Sequence, residues 1–196
     1  MYISKVILKN IRGFTDLEFD LTRDDGKFAG WTVFTGDNGS GKSTLLKAIA
    51  LGLTGKDTAR ILQPSFHRWI RDGAEEEEAS IQLEIVRSPE DDALAEGGRR
   101  PPDQFPAKLV LRNGAKEPGL LAMIPPGKPR NYATPERTIW SPDARGWFSC
   151  GYGPFRRVSG ESQEAIRPMS APTTERYVTL FQETASWLKS IGGCEI

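Results

Sequence analysis

Residues 31–53 read WTVFTGDNGSGKSTLLKAIALGL, and this stretch decides the fold. It contains a complete G-x-x-x-x-G-K-[ST] motif, which runs from Gly36 to Ser43. Before the motif, residues 31–35 form a short apolar run of strand-favouring residues, which predicts a strand. After it, apolar residues recur at helical spacing over residues 44–53, which predicts a helix. A strand, a glycine-rich loop and a helix in this order are the context that a P-loop requires.

The motif predicts a binding site for phosphate groups. Its glycines let the backbone adopt conformations that other residues disfavour, so that successive N–H groups turn toward an anion. The start of the following helix adds unpaired N–H groups and the positive end of its dipole. We expect Lys42 to contact the β- and γ-phosphates, the Ser43 hydroxyl to bind Mg²⁺, and Thr44 to cap the helix or contact the α-phosphate. The predicted binding residues are Gly36, Asp37, Asn38, Gly39, Ser40, Gly41, Lys42, Ser43 and Thr44.

The composition is that of an ordinary globular protein. Of the 196 residues, 38% are apolar and 27% are charged, and this length predicts one domain or one and a half. The formal net charge is zero, so the chain as a whole carries no basic footprint for nucleic acid. No stretch suits a membrane span or a signal peptide, and two cysteines, Cys150 and Cys194, are too few for a disulfide framework. We therefore expect a cytoplasmic protein with no membrane partner.

The N-terminus predicts a β-hairpin ahead of the P-loop. Residues 2–21 contain two apolar runs, and the second alternates cleanly at Leu17, Phe19 and Leu21. Residues 10–15 include a glycine and predict the turn between the two strands. A simple P-loop kinase usually opens directly on the P-loop strand, so this order argues against a small-molecule or nucleotide kinase.

The opening of the chain resembles a known family. An apolar strand, the sequence Lys-Asn-Ile-Arg-Gly-Phe, a second apolar strand and then GDNGSGKSTLL are similar to the N-terminal lobe of SMC/RecF-type ABC ATPases. That group includes DNA-repair ATPases and many prokaryotic antiphage-defence ATPases, and the resemblance is strong over residues 1–55 and weaker beyond. It implies ATP and Mg²⁺ as cofactors. It also implies that Arg12, in the first turn, approaches the nucleotide, whereas the alternative is a solvated turn arginine.

Two further runs predict an antiparallel β layer. Residues 79–87 alternate apolar and polar side chains, and residues 108–112 are their expected partner. Residues 88–106, which are charged and rich in glycine and proline, predict a flexible surface insertion. The expected fold class is α/β: a P-loop NTPase half-domain of ABC/SMC type, with the antiparallel layer beside the P-loop strand and helix.

The remaining segments give weaker signals. Gly52 and Gly55 are expected to end the P-loop helix, and a second helix is predicted over residues 58–72, with a kink or break at Pro64. We expect a loop over residues 113–146 with a short apolar segment at 120–124. A strand-to-loop signal comes next at 146–157, where Arg156 and Arg157 could face phosphate, DNA or solvent, and a helix is predicted over 174–189. The sole histidine, His67, and the acidic run Glu75–Glu78 suggest exposed or core-edge positions rather than sites.

Two motifs that an ABC-type ATPase needs are missing from the chain. These are the Walker B strand with its Asp-Glu pair and the signature loop. Residues 158–163 and 177–183 echo them only faintly, and the second segment has helical periodicity. We therefore expect no catalytic residue within this segment. Residues 1–196 are expected to form the N-terminal lobe of an incomplete ATPase domain, whose C-terminal lobe comes after a helical insertion in SMC/RecF-type proteins.

These expectations lead to two candidate functions. In the first, the missing lobe completes an ATPase that closes head-to-tail as a homodimer around ATP and acts on DNA or in antiphage defence. In the second, the absence of the acidic residues is genuine. The chain would then be a non-catalytic, nucleotide-sensing scaffold that binds an effector protein.

Overall fold

The structure is a computed structural model that describes residues 1–27, 30–74, 78–88, 90, 92, 102–114, 118–123, 134–142, 144–153 and 172–182. Some predictions lie outside these ranges: residues 75–77 of the acidic run, most of the 88–106 insertion, Arg156 and Arg157, the segment 158–163, the end of the 174–189 helix, and Cys194.

A five-stranded antiparallel sheet forms the centre of the described residues, with the strand order β2-β1-β3-β4-β5. The strands are β1 (Tyr2–Ile11), β2 (Phe14–Asp20), β3 (Glu78–Val86), β4 (Gln104–Arg112) and β5 (Gly119–Met123). The first hairpin and the pairing of the 79–87 and 108–112 runs are thus confirmed. The apolar segment at 120–124, expected within a loop, instead adds β5 at the edge of the sheet.

One face of the sheet carries the core because apolar side chains alternate along each strand. Leu8 of β1 lies opposite Leu17 of β2 and Ile81 of β3, so the alternating rows line up across the strands. Fully buried members of this face are Val6, Leu8, Ile81, Leu83, Ile85, Ala107, Leu109 and Leu111. Each buried Leu or Ile contributes about 1.5–3 kcal/mol relative to an exposed one.

Helix α1 (Lys42–Leu62) begins in the P-loop and packs against this face. Gly52 lies so close to β3 that a Cβ there would be 2.8 Å from the Leu83 Cδ1 atom. Gly55 has φ 79° and ψ 172°, which are not helical, so α1 consists of two helical segments joined at this residue. The prediction that Gly55 ends the first helix is confirmed, whereas the same prediction for Gly52 is wrong because Gly52 lies within the helix.

The second helical segment is shorter than predicted. It ends at Leu62, close to the expected break at Pro64, rather than continuing to residue 72. The chain then turns, and Ile70 forms an antiparallel bridge with Ile11 of β1. The reason is tertiary: Trp69 and Ile70 are buried beside the end of β1, where the Trp69 carbonyl accepts from Arg12 N–H and Arg71 N–H donates to the Asn10 carbonyl.

The predicted P-loop strand is wrong for this structure. Residues 31–37 belong to no strand, because a strand needs a hydrogen-bonded neighbour and none of the described residues pairs with them. Phe34 packs its ring edge-on to Phe19 of β2, with the ring centroids 5.2 Å apart. Trp31 and Val33 point the other way and are 99% and 76% exposed.

The C-terminal part of the described chain is helical but broken. A 3-10 turn at Pro135–Arg137 precedes two short helices, α2 (Pro172–Glu175) and α3 (Val178–Phe181). The expectation that residues 177–183 are not a Walker B strand is therefore confirmed over the residues described. The strand signal at 146–157 is wrong over residues 146–153, where no strand forms. Among the described helices, none combines the length and the apolar character needed to cross a bilayer.

Candidate nucleotide-binding site

The P-loop adopts the backbone conformation that its glycines permit. Gly36, Gly39 and Gly41 have φ angles of 151°, 85° and 92°, a region that favours glycine. Helix α1 begins immediately afterwards, and no side chain among the described residues caps its N-terminus. The first N–H groups of the helix therefore have no intrahelical acceptor and are available to an anion.

Lys42 reaches back over the loop from the first turn of α1. Its Nζ donates to the carbonyl oxygens of Gly36 and Asp37 at 2.5 and 2.6 Å and to Ser40 Oγ at 3.3 Å. The amine thus lies among the backbone groups of the loop, where a phosphate oxygen could replace these carbonyls as its partner. Ser40 N–H also donates to the Asp37 carbonyl at 3.2 Å, which closes the turn of the loop.

The space available for a side chain differs among the three glycines of the loop. A Cβ on Gly36 would lie 2.9 Å from Ser40 Oγ, and a Cβ on Gly41 would lie 2.5 Å from Cζ of Phe14. A Cβ on Gly39 would meet no atom within 4 Å, so this part of the loop opens to solvent. Asp37 and Asn38 are likewise exposed.

These residues fit a nucleotide polyphosphate with its magnesium ion. The left-handed glycine loop and the uncapped helix supply N–H donors, and Lys42 supplies a cation. The Ser43 side chain lies at the start of α1 and supplies a hard oxygen ligand of the kind that Mg²⁺ accepts. Thr44 comes directly after it in the first turn.

Arg12 lies in the β1–β2 turn, which adjoins the P-loop through the contact of Phe14 with Gly41. Its guanidinium stacks on the Trp69 ring, with Cζ 4.6 Å from the ring centroid. Burial lowers the pKa of Arg12 from its ordinary value, and an arginine remains charged at neutral pH even so. A nucleotide contact by Arg12 stays a prediction.

Phe14 and Trp69 are neighbours of this site that the sequence did not indicate. Phe14 was only an apolar residue at the start of a strand, and Trp69 was part of a helical pattern. No local signal distinguishes them, because the first acts on Gly41 and the second on Arg12 across large separations in the chain.

The glycine loop, helix α1 and the antiparallel layer together define a lobe of a P-loop NTPase. The family model for the AAA domain matches residues 5–118, which is more than half of the chain. The chain therefore belongs to this AAA domain family.

Three relatives agree with that assignment. Septu protein PtuA of Bacillus mycoides is 29% identical over 89 residues, which are 45% of this chain and 13% of that protein. The DNA double-strand break repair Rad50 ATPase of Nanoarchaeum equitans is 40% identical over 60 residues, 31% of this chain and 7% of that protein. The DNA replication and repair protein RecF of Mesorhizobium japonicum is 42% identical over 59 residues, 30% of this chain and 14% of that protein.

The solved structures add a distant neighbour. A structure from work on ATP-driven dimerization and DNA-stimulated activation of SMC ATPases aligns with a TM-score of 0.41 and 19% identity, covering 62% of this chain and 69% of that one. The assignment to the SMC/RecF type is confirmed by the family and the relatives, and at the family level the chain is an ATPase lobe. The chain spans at most about a seventh of the length of the curated relatives it matches.

Proposed function

We propose that this chain binds ATP on the loop formed by residues 36–44. The observation that carries the proposal is the position of Lys42, whose Nζ lies within 2.6 Å of two loop carbonyls at the N-terminus of α1. An anion at this place meets the lysine amine, the helix N–H groups and the loop N–H groups together. The triphosphate is the part of ATP that this chemistry recognises.

We propose that Ser43 binds the magnesium ion that accompanies ATP. When bound, the ion would neutralise charge on the β- and γ-phosphate oxygens. The role of the chain's own residues is to hold and orient the phosphates: Lys42 by charge, the loop by backbone N–H groups and Ser43 by its hydroxyl. Positioning and electrostatic stabilisation account for most of the catalysis in phosphoryl transfer.

We propose that a second lobe, outside residues 1–196, supplies the Walker B acids and the signature loop. The open segment 31–35 supports this, because Trp31 and Val33 project an apolar row from an extended backbone that has no strand beside it among the described residues. Complete domains would close head-to-tail as a homodimer around ATP, and hydrolysis would reopen them. The relatives' greater length is consistent with additional lobes.

The biological setting that we propose is DNA repair or antiphage defence, and it rests on the similarity to Septu protein PtuA and the Rad50 repair ATPase. Among the described residues, the ion pairs on the sheet face opposite α1 balance three of its basic side chains and give DNA binding no electrostatic support. On that face Lys5 pairs with Glu18 at 2.5 Å and Arg112 pairs with Glu78 at 2.7 Å, and Lys9 lies 4.0 Å from Asp16. Phosphate backbones attract unbalanced positive charge, so any DNA contact is assigned to the assembled protein.

The test is a titration of the chain with Mg-ATP, monitored by calorimetry or with a fluorescent analogue. Lys42→Ala is expected to weaken ATP binding at least about tenfold, because a charge-assisted contact is worth about 1.5–3 kcal/mol. Lys56→Ala, a lysine of the same helix outside the loop, is the matched control and should bind as the wild type does. Equal affinity of wild type and Lys42→Ala would refute the P-loop assignment. Repeating the titration with duplex DNA tests whether this chain itself contributes to a DNA response, and no effect would leave the DNA role to the proposed second lobe.

A second candidate is the non-catalytic scaffold that binds an effector protein. The observation in its favour is the same exposed row of Trp31 and Val33, since exposed large apolar side chains mark interaction surfaces. Sequencing the gene downstream of the Ile196 codon distinguishes the two candidates. A reading frame that continues to a signature loop and an apolar strand ending in Asp-Glu supports the ATPase, and a stop codon supports the scaffold.

A further inference from the structure

The β1–β2 turn beside the P-loop is held in a strained conformation. Asn10, near the end of β1, and Arg12, in the turn itself, have φ angles of 52° and 49°, which place two non-glycine residues in the left-handed region. Asparagine tolerates this region, but for arginine it costs about 1 kcal/mol or more. Strain of this kind persists only where surrounding contacts determine the backbone, so the contacts around Arg12 are informative.

Those contacts come from residues 69–71, which we term the strap. Arg12 N–H donates to the Trp69 carbonyl at 2.9 Å, and Arg71 N–H donates to the Asn10 carbonyl at 2.8 Å. The Arg71 guanidinium adds a bond from Nη1 to the Gly13 carbonyl at 3.1 Å. The strap therefore fixes both sides of the turn.

The Trp69 side chain supports the Arg12 side chain as well as its backbone. Trp69 is 0% exposed, and its ring face lies under the Arg12 guanidinium at 4.6 Å. Phe66 meets the same indole edge-on, with the ring centroids 5.7 Å apart, which orients it further. Within the described part of the chain, the Trp69 Nε1–H has no acceptor. Trp69 therefore contacts Arg12 through its ring face. A planar guanidinium stacks on such a face more effectively than an ammonium group does.

The supported turn borders the phosphate site. Phe14, two residues after Arg12, places its ring against Gly41, the residue that precedes α1. This contact places the turn that carries Arg12 next to the loop, and a long side chain anchored on Trp69 samples few directions.

We propose that Trp69 is a positioning residue, which holds the Arg12 guanidinium at the rim of the P-loop for contact with the phosphates of a bound nucleotide. This inference rests on the proposed function, because it requires ATP on the loop, and on the implied nucleotide contact of Arg12. Trp69 itself touches no nucleotide. Its effect on binding passes entirely through Arg12.

The test is a double-mutant cycle on Mg-ATP affinity, with thermal unfolding of each variant as a check on folding. The variants are Arg12→Ala, Trp69→Leu, the double variant and Trp69→Phe, which keeps a ring face. Trp69→Leu is expected to weaken ATP binding about 3- to 10-fold, the range of a cation–π contact. In the Arg12→Ala background, Trp69→Leu should weaken ATP binding less than about twofold. Trp69→Leu is expected to lower the melting temperature whether or not Arg12 is present. Trp69→Phe should restore most of the affinity.

If Trp69→Leu does not fold, Arg12→Lys tests the same stacking contact, because this substitution leaves the buried Trp69 in place. Lysine retains the charge but not the planar stack, so most of the Arg12→Ala loss is expected to remain. Wild-type affinity in Arg12→Lys, or equal losses from Trp69→Leu with and without Arg12, would overturn the positioning role. Lys42→Ala separates the two proposals: if it has no effect, the nucleotide site itself fails. If it weakens binding while the Trp69 and Arg12 variants do not, only the positioning role fails.

Discussion

Gly41 satisfies two independent requirements at the entrance to α1. Its φ of 92° suits glycine, and the Phe14 ring occupies the space where any side chain would begin. Gly39 shares the first requirement, with φ 85°, but has open space around it. The pair therefore separates the cost of backbone strain from the cost of a steric clash.

Gly41→Ala is expected to destabilise the fold more than Gly39→Ala. The strain alone costs about 1–2 kcal/mol at each position, and the clash with Phe14 adds roughly 1–3 kcal/mol at Gly41. Urea unfolding of the two variants measures the difference. Equal destabilisation would mean that Phe14 does not pack against the loop. The double variant Gly41→Ala with Phe14→Ala should recover part of the loss.

Tyr177 is expected to make the free energy of unfolding depend on pH in the alkaline range. Burial raises its pKa from 10.0 to about 12. Between these values the unfolded chain releases the phenol proton and the folded chain keeps it, so stability that is present below pH 10 is lost as the pH rises. The free energy of unfolding lost in this way is roughly 2–3 kcal/mol. Tyr177→Phe is expected to flatten this part of the stability profile in denaturant titrations at pH 9–12, and an unchanged slope would contradict the assignment.

At the scale of elements, local patterns predicted strands β1 to β4 and the glycine loop followed by a helix. Alternation along β1 to β4 predicts which residues face the core, because the side-chain period of a strand is two. The break of α1 at Gly55 was expected from the sequence, but the packing around it was not: a Cβ at Gly55 would lie 2.6 Å from Cγ of the Trp140 ring. Trp140 also donates from Nε1 to the Gly52 carbonyl at 2.8 Å. Contacts from elsewhere in the chain thus set where the helix bends.

A charged substitution is expected to affect the melting temperature differently on the two faces of the segment 31–35. Val33→Asp should change the melting temperature little, because this side chain is 76% exposed. Phe34→Asp should lower it clearly, since the partly buried ring packs on Phe19 and a charged side chain would lose that contact. Thermal unfolding of the two variants compares neighbours with opposite orientation. A similar loss in both would show that Val33 is buried in solution.

At the scale of the whole molecule, we propose that ATP binding and ATP hydrolysis depend on different lobes. The residues proposed to hold phosphate lie together at the start of α1. No residue in the sequence supplies the Walker B acids or a convincing signature loop. We infer that the open segment 31–35 is where the complementary lobe docks, which would also cover Trp31.

Residues 1–196 alone are therefore expected to bind ATP without appreciable multiple-turnover hydrolysis. Phosphate release from the isolated chain should match that of Lys42→Ala within error, because the groups that polarise water and cap the γ-phosphate belong to the proposed second lobe. The same assay on the longer gene product, if the frame continues, should show Lys42-dependent turnover. Brisk Lys42-dependent hydrolysis by this chain alone would contradict the two-lobe proposal.

The hairpin, the glycine loop, the start of α1 and the family follow from local sequence, because each of these depends on residues that are neighbours in the chain. The packing of Phe14 on Gly41 and the stacking of Arg12 on Trp69 are visible only in the folded chain. The fold also places residues 120–123 in the sheet and leaves 31–35 with no partner strand among the described residues. The physical reason is that packing and strand pairing join residues far apart in sequence, as Arg71 joins Gly13 across 58 positions. Local patterns carry no information about such partners.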